Sequence, residues 1–411
     1  MRKKIDSRTT PRIAHYFRDV DLLGNSCPEF IPEAFSSNCW YDGEQWPAHF
    51  LQRVAVRLNY IWATYGVRDG ERTVHGSHPA VCCSSFQIAD IIAVKEGEPP
   101  QAGAATQYAL TFPLAVAENG GFKRVAHWSQ GQAYLQDGTP LELNGREVVE
   151  NQFRYVSAQQ NLPNQCSEWR WPYPHNYRRA IAKINAKGLV GTTIPGLQLT
   201  HKKWSGIGVV VPTMVEARRL QYDILSLIDR EVVSDTHFDH ILVCEKLPSN
   251  VGGFDTEQLQ AVFSSACFDF KSCLKVSDLM AKSMQLDFSS RVLILEGTTP
   301  KGPTHEVGGC WLCFQDNTHP YVRALVKAGR VKVNKQGRYM ASLDELDTRR
   351  DLRERQGIAQ QLAKELREQH GIESSFFSVL NSQRPDDLPF FSGRPWGGSY
   401  FITDSPDGDD E

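Results

Sequence analysis

The sequence predicts an α+β protein of two domains. The first half shows an amphipathic helical segment followed by short β-rich runs between Gly, Asp and Asn turns, which is typical of a mixed or antiparallel sheet. The second half alternates apolar strands with amphipathic helices, which favours an α/β domain with a largely parallel sheet. Because 411 residues exceed one ordinary core, we expect domains at 1–203 and 204–400, then an acidic tail at 401–411.

The first half contains one helical pattern and several strand patterns. Apolar residues recur at helical spacing over residues 46–65, and Gly66 is expected to end this helix. Four short β-rich runs follow, at residues 107–112, 124–128, 132–135 and 153–157. A further strand is expected to begin at Glu168.

The second half is dominated by longer apolar runs and capped helices. Continuous apolar runs predict buried strands at 207–211, 240–244 and 292–295. Capping residues mark four helix starts. These are Thr213 with Glu216, Asp255, the segment 318–320, and Ser342 with Glu345. Gly329 and Gly371 are expected to end the last two of these helices.

Composition limits the classes of function. The chain is 41% hydrophobic and 23% charged with a formal net charge of −3, so no global positive field attracts nucleic acid or anionic membrane. Three basic pairs could still form a local groove: Arg178-Arg179, Lys202-Lys203 and Arg218-Arg219. No apolar run approaches the roughly 18 residues of a membrane span. The charged N-terminus has no apolar segment after it, so we expect a cytoplasmic protein with mostly reduced cysteines.

The segment 166–171 carries the clearest chemical pattern. Glu168 and Arg170 alternate with Trp169 and Trp171, so on a strand the charged pair faces one side and the tryptophans the other. A carboxylate that faces a cleft on the side away from the tryptophans can hydrogen-bond a ligand or stabilise developing positive charge. The alternative is a surface strand in which Glu168 and Arg170 form a weak ion pair beside core tryptophans.

Several N-terminal motifs occur together in a characteristic order. They are Arg12-Ile-Ala-His15-Tyr16, the run from His78 to Phe86, Tyr108–Pro113 followed by Glu118-Asn-Gly-Gly121, and Phe153–Ser157 just before Ser167-Glu-Trp-Arg-Trp171. This order resembles the abortive-infection group of bacterial phage-defence proteins, whose N-terminal domain resembles ADP-ribosyltransferases. The resemblance covers roughly residues 10–180. It implies an ADP-ribosyltransferase-like N-terminal domain. The C-terminal half resembles no family of known function, and we expect it to be a domain that senses, regulates or recruits.

The resemblance also implies a site and a substrate. In the transferase family the last glutamate contacts the nicotinamide ribose of NAD and stabilises the cation formed as nicotinamide leaves. By motif position the catalytic residue is Glu168. The NAD-binding residues implied are His15, Tyr16, Ser84, Ser85 and Arg170. NAD is the expected co-substrate, no metal is expected, and the acceptor would be a protein or a nucleic acid, with a regulatory protein as a further partner.

One position departs from the family pattern. The family often has a second glutamate two residues before the catalytic one, and here that position is Cys166. Its absence argues against arginine acceptors. A catalytically silent fold that acts as a binding or antitoxin-like partner therefore stays open as the alternative. His15 as a satisfied histidine and Cys82-Cys83 as core residues stay open as well.

Residue spacing allows three other chemistries. Cys310 and Cys313 have the spacing of half a zinc site but lie in a run that predicts a buried strand. The segment 237–240, and Asp316 with His319, contain metal-binding residue types. A metal-dependent nuclease would use Asp239, Glu296 and Asp316.

Overall fold

A computed structural model describes most of the chain. The described residues are 11–21, 23–24, 45–68, 71–101, 105–129, 131–135, 138–157, 168–187, 195–200, 202–387 and 389. They form a mixed α+β protein, which confirms the predicted class. The expected tail at 401–411 and Cys166 lie outside the described residues.

The chain separates into two compact units. The first unit comprises Met1–Leu220 and Ser234–Asp269, and the second comprises Gln221–Val233 and Phe270–Glu411. The expected boundary at 203/204 lies within the first unit. Each unit therefore contains two separate stretches of sequence.

The elements follow in chain order. The helices within the described residues are α1 (Ala48–Leu58), α2 (Ile88–Lys95), α3 (Leu114–Asn119), α4 (Gly145–Glu150), α5 (Tyr177–Lys187), α6 (Met214–Asp229), α7 (Thr256–Ala266), α8 (Asp278–Thr298), α9 (Pro320–Lys327) and α10 (Leu352–His370). The strands are β1 (Arg12–Tyr16), β2 (Val20–Asp21), β3 (Gln45–Trp46), β4 (Tyr60–Trp62), β5 (Val67–Arg68), β6 (Glu71–Arg72), β7 (Ala80–Ser85), β8 (Ala109–Pro113), β9 (Lys123–Arg124), β10 (Ala126–Ser129), β11 (Gln132–Leu135), β12 (Pro140–Leu141), β13 (Tyr155–Ser157), β14 (Glu168–Pro172), β15 (Gly196–Gln198), β16 (Ile207–Val211), β17 (Phe238–Val243), β18 (Cys267–Phe268), β19 (Gly308–Phe314), β20 (Val331–Val333), β21 (Tyr339–Ser342) and β22 (Ser374–Leu380). Of the helices in the described part of the chain, none is long and apolar enough to cross a bilayer.

An eight-stranded sheet organises the first unit, with the order β18-β17-β16-β8-β1-β7-β14-β9. The pair β16 and β17 is parallel, and the other neighbouring pairs are antiparallel. Ile13, Phe112, Val209 and Ile241 are fully buried in it. The strands predicted at 207–211 and 240–244 are thus present, and they extend the sheet formed by the N-terminal strands.

The helix predicted over 46–65 is shorter than expected. It ends at Leu58, and Asn59 adopts a left-handed conformation with φ of 51°. Tyr60–Trp62 then forms β4, which pairs with β15. Aromatic and β-branched residues favour a strand where a partner strand is present, so tertiary pairing overrides the helical spacing.

The second unit is built on an antiparallel sheet with the order β20-β21-β19-β22. The prediction of a largely parallel sheet is therefore wrong for this unit. Helices α8, α9 and α10 share one core with the sheet, in which Phe288, Leu325 and Leu362 are buried with Leu312 and Phe376. Leu312 and Phe376 lie in the core shared with the helices, whereas Met340 and Phe377 lie in a second buried cluster on the other face of the sheet. Burial on both faces explains why these strands read as apolar runs.

The strand predicted at 292–295 is part of helix α8. Ser277 caps this helix by accepting a hydrogen bond from the Met280 amide. Its buried residues, Ala281, Phe288, Val292 and Leu295, recur at helical spacing. A short apolar run cannot distinguish a strand from a buried helical face, and the preceding residues settle it here.

The long C-terminal helix begins later than the sequence predicts. Ser342 ends strand β21, and the actual cap is Asp351, whose side chain accepts a hydrogen bond from the Arg353 amide. The predicted end is confirmed, since Gly371 has a φ of 69° immediately after the helix. The starts predicted at Thr213, Asp255 and the segment 318–320 are confirmed as well.

Candidate functional site

Three neighbouring strands of the large sheet carry the candidate site. Glu168 of β14 lies opposite Ser84 of β7, and Ser84 lies opposite Ala14 of β1. Opposite residues of antiparallel strands project to the same side of a sheet, so these three share one face, which we call the site face. Alternation along each strand adds Arg170 and Tyr16 to the site face.

Arg170 holds Glu168 in place. Its Nε donates a hydrogen bond of 2.7 Å to Glu168 Oε1. Its other donors reach the backbone carbonyls of Thr73 at 3.1 Å and Phe153 at 2.8 Å. Burial by itself would lower the pKa of Arg170, but the adjacent Glu168 charge outweighs it and the pKa lies above the ordinary value. The guanidinium is therefore a permanent, buried cation.

Cys82 is the second group that contacts Glu168. Burial raises the pKa of the Cys82 thiol to about 12, although Arg170 opposes that rise. The thiol is therefore protonated at neutral pH and is hydrogen-bonded to the Glu168 side chain. Burial also raises the pKa of Cys83, so neither cysteine is a ready nucleophile.

His15 and Ser85 lie on the opposite side of the sheet. His15 follows Ala14 in β1, and Ser85 follows Ser84 in β7, so alternation directs both away from the site face. The His15 Nδ1–H donates to the Cys82 carbonyl at 2.9 Å, and its ring packs edge-on against Phe17. Burial lowers the pKa of His15, so the imidazole is neutral. The structure therefore does not bring His15 and Glu168 to one surface.

The arrangement around Glu168 suits electrostatic work. The carboxylate keeps 18% of its side-chain area exposed, whereas Arg170 keeps 3%. An anion fixed by a guanidinium and a thiol, and open on one side, can stabilise a cationic ligand without moving. The tryptophans occupy the other face, as predicted, and Trp169 is buried there opposite Cys83.

A row of residues on the site face crosses six of the eight strands. From β17 to β14 it runs His240, Gly208, Thr111, Ala14, Ser84 and Glu168. A Cβ atom at Gly208 would lie 2.1 Å from His240 Nε2 and 2.5 Å from Thr111 Oγ1, so only glycine fits there. Four small residues thus separate a histidine at one end from the carboxylate at the other.

Arg12 is a site-face residue whose place in the sheet the sequence did not reveal. Its Nε donates to Thr111 Oγ1 at 3.0 Å, and its Nη2 donates to the Gly206 carbonyl. Burial lowers the pKa of Arg12 to about 10, with Asp239 opposing the shift. Polar residues inside apolar strands are the signal that marks this row, but strand pairing was needed to assemble it.

Comparison with known proteins identifies only part of the chain. Residues 277–401 match a family described as a protein of unknown function, DUF4427. The match covers less than half of the chain and lies C-terminal to every residue of the site face named above. No curated protein and no solved structure matches the sequence. The site therefore has to be judged on its own residues.

The alternative metal sites in the first unit are structural contacts. His237 uses both ring nitrogens, one with the Trp204 carbonyl at 2.8 Å and one with Asn59 Oδ1 at 2.9 Å. His240 Nδ1 lies 3.1 Å from Asp239 Oδ2. Across the described residues, no three His, Cys, Asp or Glu side chains are grouped to hold a metal ion.

The alternative sites in the second unit are structural too. Cys310 packs in the core shared with the helices and Cys313 in the cluster around Phe377, so the two thiols lie on opposite faces of β19. Arg350 binds Glu296 at 2.6 Å, and Asp316 accepts from the Thr318 amide at 2.7 Å. The strand predicted around the two cysteines is confirmed.

Proposed function

We propose that the first unit is an ADP-ribosyltransferase-like domain that uses NAD as the donor in bacterial phage defence, in the cytoplasm. The observation that supports it is the fixed, partly exposed carboxylate of Glu168 on an inner strand of the large sheet. Glu168 would lie beside the nicotinamide ribose. Ser84 and Tyr16, on the same face, would line the binding surface.

The reaction proposed needs a stabilised cation. Nicotinamide leaves C1′ of the ribose with the electron pair of the C–N bond and becomes neutral. The acceptor atom then bonds to C1′ and loses its proton to solvent. A carboxylate that is already oriented lowers the energy of the intervening positive charge. In this proposal His15 supports the sheet from its other face rather than contacting NAD.

The second candidate function is a silent fold that binds a partner. Two observations favour it: the ion pair with Arg170 offsets the Glu168 charge, and His15 lies on the opposite face. The same fold would then present the exposed part of the site face, around Glu168, as a docking surface for a protein or another ligand. Binding of NAD distinguishes the two candidate functions, because the transferase must bind NAD and a fold that only docks a partner does not.

The first prediction concerns Glu168→Gln, which keeps a hydrogen-bond acceptor for Arg170 while removing the charge. We expect NAD consumption by the full-length protein to fall about 100-fold or more. Glu98→Gln, an exposed glutamate of the same unit, is the matched control and should leave the rate unchanged. Nicotinamide release, measured by chromatography, gives the rate, and circular dichroism checks the fold.

Two further readings decide between the candidates. NAD at about 100 times its dissociation constant should stabilise the wild-type protein by about 2.7 kcal/mol in a thermal shift assay. If NAD produces no shift and no nicotinamide is released, the silent fold is favoured. Plating of phage on cells that carry wild-type or Glu168→Gln protein tests the defence role, which requires that the variant lose protection.

A further inference from the structure

The region after Glu168 has an unusual charge distribution. Residues 169–215 contain seven of the 45 Lys and Arg residues and none of the 48 Asp and Glu residues. The net charge of −3 for the whole chain does not reveal this basic stretch, because acidic residues elsewhere in the sequence outweigh it. One of the seven, Arg170, is used in the buried ion pair.

Helix α5 presents part of this charge to solvent. It follows β14 after only four residues, and Asn176 caps it by accepting a hydrogen bond of 2.9 Å from the Arg179 amide. The side chains of Arg178, Arg179 and Lys183 are exposed. Within the described part of the chain, none of the three has an acidic partner in an ion pair. We call these three side chains the basic face of α5.

Aromatic rings adjoin the basic face. Tyr177, the first residue of α5, packs edge-on against Tyr65 with ring centroids 5.4 Å apart. The Arg72 guanidinium lies 4.2 Å from the centroid of the Tyr65 ring. Tyr173 and His175, between β14 and α5, are also in edge contact. Proteins bind single-stranded nucleic acid on surfaces where aromatic rings lie beside cations, because the bases stack on the rings and the phosphates pair with the cations.

The start of α5 lies on the same side of the sheet as Glu168. Tyr177 and Cys82 both pack against one cluster, which contains Tyr65, Val74, Ala80 and Phe153. The Cys82 thiol is hydrogen-bonded to Glu168. Glu168, Cys82 and Tyr177 therefore form a continuous path from the carboxylate to the start of α5.

We infer that the basic face of α5 binds single-stranded nucleic acid and leads it to the site face. As the acceptor of ADP-ribose this strand depends on the function proposed above, whereas its binding does not. The three cations pair with phosphates, and Tyr173 and His175 are the stacking partners for bases. Cys166 in place of the family glutamate agrees with an acceptor other than arginine.

The test is binding of fluorescein-labelled single strands of about 20 nucleotides, as DNA and as RNA, to the full-length protein. Fluorescence anisotropy is recorded between about 50 and 200 mM salt. The variant replaces the basic face by Arg178→Gln, Arg179→Gln and Lys183→Gln together. We expect at least about tenfold weaker binding and a salt slope smaller by about 2, since each lost contact removes about 0.7.

The control removes the same charge elsewhere, by Lys282→Gln, Lys332→Gln and Lys364→Gln on the second unit. This control should bind like wild type. An equal loss in the control, absence of wild-type binding at low salt, or equal competition by polyglutamate would each overturn the inference. Comparison of the DNA and RNA arms identifies which strand is preferred.

NAD consumption of the wild-type protein is recorded beside strand binding, which keeps this result independent of the enzyme proposal. Binding without any NAD consumption in wild type leaves the nucleic-acid site standing and removes the transferase. NAD consumption without nucleic-acid binding does the reverse. Thermal melting of each variant confirms that it is folded.

Discussion

The buried charge of Arg170 limits which substitutions of Glu168 leave the protein folded. Arg170 has Glu168 as its only ion-pair partner among the described residues, and it also holds two backbone carbonyls. Removal of one member of a buried pair costs about 3–5 kcal/mol, because the remaining charge is left without compensation. A loss of activity in Glu168→Ala would thus mix chemistry with unfolding, whereas Glu168→Gln retains a polar partner for Arg170.

A pH prediction follows from His15. Burial lowers its pKa in the folded state below the ordinary 6.5, so the unfolded state binds the proton more readily. The stability due to neutral His15 is complete above 6.5 and is lost as pH falls below it. We expect the free energy of unfolding to decrease between about pH 7 and 5, by at most about 1.4 kcal/mol per pH unit from this group.

The measurement compares wild type with His15→Gln by urea unfolding at several pH values. The variant should show a weaker pH dependence, since glutamine can still donate to the Cys82 carbonyl but does not titrate. His175→Gln, at an exposed histidine, should retain the wild-type dependence. Equal pH dependence in wild type and His15→Gln would show that His15 is already protonated, or accessible, in the fold.

At the scale of elements, local signals identified strands and helix ends more reliably than their partners. The strand at Glu168, the cap at Asp255 and the stop at Gly371 depend on neighbouring residues and are confirmed. Residues 292–295 are helical because the residues before them continue the helical pattern. Residues 60–62 form a strand because they pair with β15. Such pairings join distant residues and leave no local pattern.

The candidate site shows the same division. Alternation correctly separated Glu168 and Arg170 from the tryptophans, because it needs only one strand. It could not show that His15 falls on the other side from Glu168, since that depends on the register of three strands. The row from His240 to Glu168 spans six strands and was inaccessible to sequence analysis for the same reason.

Gly208 provides the prediction at this scale. Gly208→Ala would force a methyl group against His240 and Thr111, and we expect the first unit to lose about 1–3 kcal/mol of stability. Gly357→Ala is the contrasting variant, since its Cβ meets nothing within 4 Å and it lies mid-helix in α10. It should instead gain about 0.5–1 kcal/mol. Denaturant unfolding measures both, and a neutral Gly208→Ala would contradict the tight row.

At the scale of the whole molecule, the chain divides into units that are not continuous in sequence. The second unit includes Gln221–Val233, although the chain then returns to the first unit for Ser234–Asp269. Asp229, in that early segment, forms a two-pronged ion pair with Arg323 and accepts a hydrogen bond of 2.6 Å from the Tyr339 hydroxyl. The family match at 277–401 therefore leaves out residues 221–233, which are part of the second unit.

Asp229→Ala tests this dependence. We expect the second unit to lose about 3–5 kcal/mol, because Arg323 would keep a buried charge without its partner. Asp278→Ala removes an exposed pair with Lys327 in the same unit and should change the free energy of unfolding much less. Urea unfolding of the full-length variants gives both values. Equal effects would mean that the early segment contributes little to the second unit.

The split of the second unit also fixes an order of events during translation. A ribosome adds about 5–20 residues per second, and Arg323 is 94 residues downstream of Asp229. The first unit is complete once Asp269 has emerged, while the carboxylate of Asp229 must wait roughly 5–20 s in water for its counterion. The nascent chain therefore carries an unfolded segment of the second unit between two folded stretches of the first unit. We expect a chaperone to bind at this segment.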